Sequence, residues 1–514
     1  MTSRRPRIAP LLRSPGSRPG FGPGSRPGLK SGWLVLSLAL VVVSGARAQS
    51  AVPVGQEFQA NGYTTGDQVL PAVALLDDGD FVVVWATEDS TYGPDFSGTS
   101  VEGLCYDGDG QRIGFEFQVN VYVTGDQIFP AVEAQSGGGF LVVWQSAGSA
   151  ADTSASTIVG RRYDNACQPL GGEFQVNDYT TDTQITPDVA VASDDSFVVV
   201  WESYGSPGDD ASGASIQGRR FAADGSPVGG QMQVNTLTDL YQTLPNIAAG
   251  PSDDFVVVWA SYGDDGGGYD VNSIRARPLG ADGVPTGTDF QVNTTTLGLP
   301  IDSYWYPSVD VADTGEFLVV WTSDASPGDD SAYLSVQARA FDGLAIPLAD
   351  QVQVNEFTTN FQRLARVAAS GDRFLVVWES DGSTGFDNAD LSVQGRRVDL
   401  LGALDGSEFQ LNGYTTGSQA APVVSRDQGG DFLVAWESFG SPGNDASGTS
   451  LQVLPFGLDS DGDGVADDVD CAPADPGSAL VDACGTCGGD GSPCTIFTDD
   501  FESGDTTAWS SSTG

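Results

Sequence analysis

EFQVNDYTTDTQITPDVAVASDDSFVVVWESYGSPGDDASGASIQGRRFAADGSPVGG, residues Glu173 to Gly230, is one copy of a unit that fills most of the chain. Seven Val-Val-Trp-like segments end at Trp85, Trp144, Trp201, Trp259, Trp321, Trp378 and Trp436, at separations of 59, 57, 58, 62, 57 and 58 residues. A second marker of the Phe-Gln-Val-Asn type ends at Asn61, Asn120, Asn177, Asn235, Asn293, Asn355 and Asn412. A fixed period of this length signals a repeat architecture.

Within the quoted copy, Pro187 to Ala192 alternates apolar residues and reads as a strand, followed by a polar turn over Ser193–Ser196. Phe197 to Trp201 is a continuous β-branched and aromatic run, as in a strand covered on both faces. After the loop SYGSPGDDASG, Ala214 to Phe221 reads as a third strand and Gln231 to Asn235 as a fourth. No window in the repeats has a helical period. Four antiparallel strands at a fixed period fit a β-propeller blade, whereas immunoglobulin-like domains need about 100 residues each. The chain opens on a lone fourth-strand segment, Glu57 to Asn61, and its last copy stops at a third, Leu451 to Phe456. The count closes if the first segment completes the last blade, which also protects the edges. The expectation is an all-β, seven-bladed propeller over 51–457, closed by the N-terminal strand and followed by a small Cys/Asp-rich segment.

Composition narrows the chemistry. The chain has 69 acidic and 22 basic residues and no histidine. Eight of the basic residues lie in 1–48, so residues 49–514 keep 14 Arg against all 69 acids, a net charge of −55. That field repels nucleic acid and anionic membranes and attracts cations, Ca²⁺ above all. Without histidine, Ser-His and Cys-His nucleophile systems and His-ligated metals are excluded, leaving carboxylate chemistry.

Residues 1–48 read as a signal peptide: an apolar run from Trp33 to Val43, too short to span a bilayer, precedes the cleavage pattern Ala46-Arg47-Ala48. Export to the cell surface or medium makes disulfides possible for the six cysteines. Cys105 and Cys167 fall on neighbouring blades as one candidate pair. Cys471, Cys484, Cys487 and Cys494 lie within 24 residues and admit three pairings.

The loops joining strands four to one and two to three are long and polar, so any glycan or protein ligand is expected on that face. Paired acids there (Asp209-Asp210, Asp264-Asp265, Asp329-Asp330, Asn444-Asp445) suit turns better than Ca²⁺ sites. The recurring aromatics Tyr63, Tyr122, Tyr179, Phe357 and Tyr414 suit blade packing, and the recurring Asn and Gln suit structural hydrogen bonds. An Arg column (Arg161, Arg219, Arg277, Arg339, Arg396) is expected to pair with the acids after the strand-two Trp, Glu202, Glu379 and Glu437. Only the fifth copy breaks the pattern, with Tyr304, Trp305 and Tyr306, the ligand-binding candidates.

From Leu458 the texture changes. Asp459, Asp461, Asp463, Val465, Asp467 and Asp470 occupy positions 1, 3, 5, 7, 9 and 12 of a calcium loop, with Gly464 at the sharp turn. Three stretches carry resemblances. The copies resemble FVVVW…GRRF…FQVN repeats of large secreted bacterial proteins, and lack the markers of WD40 and kelch blades. Asp459–Asp470 with Cys471-Ala472-Pro473 resembles a thrombospondin type 3 repeat, which implies bound Ca²⁺ in a segment spanning 458–495. The tail, 496–514, resembles terminal sorting segments of secreted bacterial proteins. The expected function is surface binding or adhesion by a calcium-binding exported propeller. The alternative is a carbohydrate-active enzyme, a glycoside hydrolase or lyase using carboxylates on the long-loop face, which should show unique inward acids or an Arg-Tyr-Glu grouping.

Overall fold

A computed structural model describes residues 50–459 apart from 54–55, 77–78, 89–97, 150–151, 153–154, 207, 211–212, 239–240, 263–271, 295–305, 325–327, 329, 331–332, 384, 388–389, 428–429, 441–442, 444 and 446–447. The expected signal peptide, Tyr304 and Trp305, the calcium-loop positions after Asp459, the four C-terminal cysteines and the tail therefore lie outside the described residues. Asp459 is the last residue of the last strand.

Seven antiparallel sheets follow one another in chain order, and no described residue is helical. Blade 3 is typical, with strands Gln184–Val191, Phe197–Tyr204, Ala214–Phe221 and Pro227–Gln233 hydrogen-bonded in that order. The first strand begins earlier than the alternation predicts. The register shifts between Ile185 and Asp188, and Thr186 sits at φ 47°. The same bulge recurs, with Leu70, Phe129, Leu244, Leu364 and Ala421 at positive φ. A bulge of this kind bends an edge strand and re-aims its side chains. The Pro that follows it in most copies disguises the continuation of the strand.

Ring closure is as expected. In blade 7 the strands Gln419–Arg426, Phe432–Phe439 and Thr449–Asp459 are completed from the N-terminus by Phe58–Gln59, with Ser50–Pro53 pairing further along the same last strand. Asn61 Oδ1 accepts from the Leu451 N–H at 3.0 Å, and Asn61 Nδ2 donates to Asp445 at 3.0 Å. Blade 3 makes the same two contacts within one copy, Ile216 N to Asn235 at 2.9 Å and Asn235 to Asp210 at 2.8 Å. The N-terminal segment thus replaces a native fourth strand, contact for contact.

All seven repeat Trp side chains are fully buried, in apolar clusters that span adjacent blades. Polar side chains stitch the blades together where backbone groups would otherwise be orphaned. Asn177 donates to Gln184 Oε1 at 3.1 Å, and Asn61, Asn120 and Asn355 make the same link to their Gln. Asp210, Asp330 and Asp445, the second members of their acidic pairs, are buried against Asn235, Asn355 and Asn61, in keeping with a structural role. Tyr179 lies against Gly205, at φ 74°, where an added Cβ would come within 2.8 Å of the Tyr hydroxyl; this aromatic also packs the scaffold.

The Arg column departs from expectation. Arg161, Arg219, Arg339 and Arg396 donate to the carbonyls of Val119, Val176, Val292 and Val354 in the preceding blade at 2.7–2.9 Å, and Arg277 does so to Val234. The acids after the Trp take other partners. Glu437, Glu202 and Glu379 accept from the bulge N–H groups of Leu70, Leu244 and Ala421 in the next blade, at 2.7, 3.3 and 2.8 Å. Two of the arginines also meet a carboxylate, but a different one, Arg219 with Asp178 at 2.8 Å and Arg396 with Glu356 at 2.7 Å, while the bulge N–H groups claim the expected acids as acceptors. Cys105 and Cys167 form a disulfide between blades 1 and 2, with Cα atoms 6.6 Å apart. No helix of the described residues is long and apolar enough to cross a membrane.

Burial pushes Glu437 up to about 7, aided by Glu379 and Asp67 and opposed by the Leu70 N–H. Unfolded, the group titrates near 4.3. Its contribution to stability is therefore complete below about pH 4.3 and is lost as pH rises toward 7. Glu437→Gln keeps the acceptor, as Gln145 does for Thr186 N in the copy before blade 3. The variant is expected to exceed the parent's stability at pH 8 by about 1–3 kcal/mol, the gap closing near pH 4 in denaturant titrations.

Candidate functional site

The innermost strand of every blade faces a common lumen, a cavity of about 700 Å³ lined by all seven first strands. The stretches concerned are PAVAL (71–75), PAVEA (130–134), PDVAV (187–191), PNIAA (245–249), PSVDV (307–311), ARVAA (365–369) and PVVSR (422–426). Alternation puts the second and fourth residue of each on one face of the strand and the third on the other. In blades 2 to 7 all three border the cavity, while Ala74, Ala190, Ala248 and Ala368 at the fourth position are buried between blades. In a plain copy these positions hold Ala, as Ala72 and Ala74 do. Elsewhere they hold Glu133, Asp188, Asn246, Ser308, Asp310, Arg366 and Ser425, and Arg426 follows Ser425. The expectation that only the fifth copy departs from the repeat is corrected: inward departures come from blades 2 to 7.

Most of these groups serve the ring's inner edge. Asp188 accepts from Ile247 N at 2.8 Å and from Asn246 Nδ2 at 2.7 Å. Asn246 Oδ1 accepts from Val309 N at 2.8 Å, Ser308 Oγ from Val367 N at 3.4 Å, and Ser425 Oγ from Leu75 N at 3.2 Å. Asp310 accepts from Ala369 N at 2.7 Å and Val311 N at 2.8 Å. Arg426 donates to Asp313 at 2.9 Å and to the Val311 carbonyl at 3.1 Å, with Asp310 at 3.7 Å.

Glu133 is different. It has no hydrogen bond to any described residue, and its side chain is exposed within the lumen that the ring surrounds. That enclosure pushes its carboxyl up to about 8, with Asp310 and Asp188 adding to the shift and Arg426 opposing it. Asp188 is raised to about 7 by burial, against the pull of the Ile247 and Val189 N–H groups and Arg366. Asp310 is raised by burial in spite of Arg426. Among the described residues no three potential ligands converge on a metal position.

Tyr306, one of the sequence candidates, reaches this lumen, and the Arg366 guanidinium lies over its ring 5.6 Å from the centroid. The expectation of function on loops passed over the lumen wall. Aligning the first strands on the Pro that six of them carry, with Ala365 in its place in the sixth blade, exposes it, because positions that are Ala in some copies become charged in others.

No family model matches the chain, and no curated protein does. Solved structures with a similar overall course include the polysaccharide lyase Uly1, 10% identical with TM-score 0.44 over 77% of this chain and 90% of that one. A GH93 α-L-arabinofuranosidase of Fusarium graminearum is 10% identical with TM-score 0.42, over 78% of this chain and 97% of that one. A protein of unknown function from Dyadobacter fermentans is 10% identical with TM-score 0.44, over 79% and 98%. Values this low carry nothing about chemistry.

The two lumen arginines should behave oppositely when truncated. Arg426→Gln leaves Asp310 and Asp313 without their cation and is expected to cost about 1–3 kcal/mol. Arg366→Gln removes an enclosed charge without an ionic partner and is expected to leave stability unchanged or raise it. Urea denaturation of both variants distinguishes them.

Proposed function

We propose that this is an exported carbohydrate-active propeller that works at its lumen, with Glu133 as the proton-donating acid. The carrying observation is Glu133 itself, a lumen carboxyl without a hydrogen-bond partner among the described residues, held toward about 8 beside two further acids. Cleavage of a glycosidic bond needs one carboxyl protonated to serve the leaving oxygen and a second group ionised to act as base or nucleophile. Neighbouring carboxyls whose environments separate their titrations supply both at one pH. Asp188 and Asp310 keep oxygens on backbone N–H groups, which favours their ionised forms and casts them as the basic partners. The cavity volume suits a short saccharide.

Export rests on residues 1–48 and fits the inter-blade disulfide. Calcium held by Asp459–Asp470 would stiffen the segment after the ring. A second reading, binding or adhesion without turnover, has its own support on the long-loop face, where Phe386 is 96% and Tyr333 56% exposed. There the Tyr333 ring packs 5.2 Å from Phe361, a platform suited to a sugar ring or a protein partner.

The test is release of new sugar ends from a panel of plant and algal polysaccharides by the mature protein. Glu133→Gln is expected to lower kcat by 10²–10⁴-fold while raising the melting temperature at neutral pH, because a carboxyl held protonated above its unfolded value costs stability there. The rate is expected to fall as pH rises through about 8, where Glu133 loses its proton, and to fall below about 7 as Asp188 gains one. No turnover, or turnover indifferent to Glu133→Gln, would return the protein to the binding reading.

A further inference from the structure

Two arginines line the lumen, and only one is neutralised. Arg426 meets two carboxylates and a carbonyl. Arg366 has a single hydrogen bond, from Nη1 to the carbonyl of Ala365 beside it in the chain, at 3.3 Å. Among the described residues no carboxylate stands within ion-pair distance of it. A guanidinium presents five N–H donors as a planar fork. Most of that fork is uncommitted in a cavity where an enclosed charge without a partner is costly.

The fold does not ask for this arginine. The corresponding positions in the other blades are Ala72, Ala131, Asp188, Asn246, Ser308 and Val423. Asp188, Asn246 and Ser308 each accept the N–H of the next blade, a task an arginine cannot perform. Arg366 also has a planar neighbour: the Tyr306 ring lies beneath it, 5.6 Å away. Tyr306 stands ahead of the Pro and Arg366 just after it in the repeat, so both sit toward the long-loop mouth. Glu133 lies two residues deeper, roughly 7 Å along a strand.

We propose that Arg366 and Tyr306 form an oxyanion-recognising subsite, and that the saccharide taken by the lumen carries an acidic group on its ring, the carboxylate of a uronic acid or a sulfate ester. The fork of Arg366 pairs with two oxygens of that group while the Tyr306 ring backs the guanidinium. The net charge of −55 over residues 49–514 opposes anions in general. An acidic sugar is therefore selected only where a cation stands uncommitted, and at the lumen mouth that cation is Arg366. This proposal rests on the lumen as the saccharide site and adds what it selects.

The experiment is calorimetric titration of the mature protein with three trisaccharides: neutral galactose, galacturonate and galactose sulfate. Wild type, Arg366→Gln and Arg366→Lys are compared, with melting recorded for each. At least one charged trisaccharide is expected to bind tenfold or more tightly than the neutral one. Arg366→Gln should abolish that preference without lowering the melting temperature. Arg366→Lys, which keeps the charge without the fork, should restore part of it and serves alone if the Gln variant does not fold. The two charged arms tell carboxylate from sulfate. Equal binding of neutral and charged sugars, or a preference that survives both substitutions, overturns the subsite and leaves the lumen as a saccharide site. Binding of none of the three overturns both.

Discussion

Closing seven sheets into a ring leaves seven inner edge strands facing one lumen, and an edge strand carries backbone N–H groups that need acceptors. That constraint explains most of the polar residues found there. Asp188, Asn246, Ser308, Asp310 and Ser425 each receive an N–H from the adjoining blade. The outer parts of the blades obey the same rule. Bulge N–H groups go to Glu437, Glu202 and Glu379, and strand-four carbonyls take the Arg column. The fold is an apolar stack of Trp-centred blades whose leftover backbone groups are met from next door.

Once that duty is subtracted, two lumen side chains remain without a structural task among the described residues. Glu133 accepts nothing from the backbone, and Arg366 donates only to its neighbour in the chain. One is an acid raised by enclosure, the other a cation short of a counter-ion. Both are placed by ordinary strand alternation at positions where a plain copy has Ala. A repeat protein can vary such positions blade by blade without disturbing the ring, because the sheet-packing residues between them, Val132 and Val367, stay apolar and buried.

Much of this was legible in the sequence. The Trp period gave the blade count, the unpaired Phe58–Gln59 segment gave the closure, and the Asn and Gln columns announced scaffold hydrogen bonds. Cys105 and Cys167 stood out as a candidate pair on neighbouring blades, and the geometry joins them. The first strand was legible only in part, because Pro187 hides a bulge that lets the strand start at Gln184. The Arg column was misassigned because sequence shows a charge of the right sign nearby but not the backbone carbonyl that outcompetes it. The polar and charged lumen positions were hard to read for a different reason. Long polar loops draw attention to the mouth, while a single Glu in PAVEA or Arg in ARVAA looks like scatter until the copies are superimposed.

The claim on which the rest depends is that the ring holds Glu133 protonated at neutral pH. Carbon-13 NMR of the mature protein, with Glu133→Gln to assign its carboxyl signal, measures this directly. The account predicts a titration midpoint near 8. A midpoint at the ordinary glutamate value of about 4.3 would contradict it and leave the lumen without its acid.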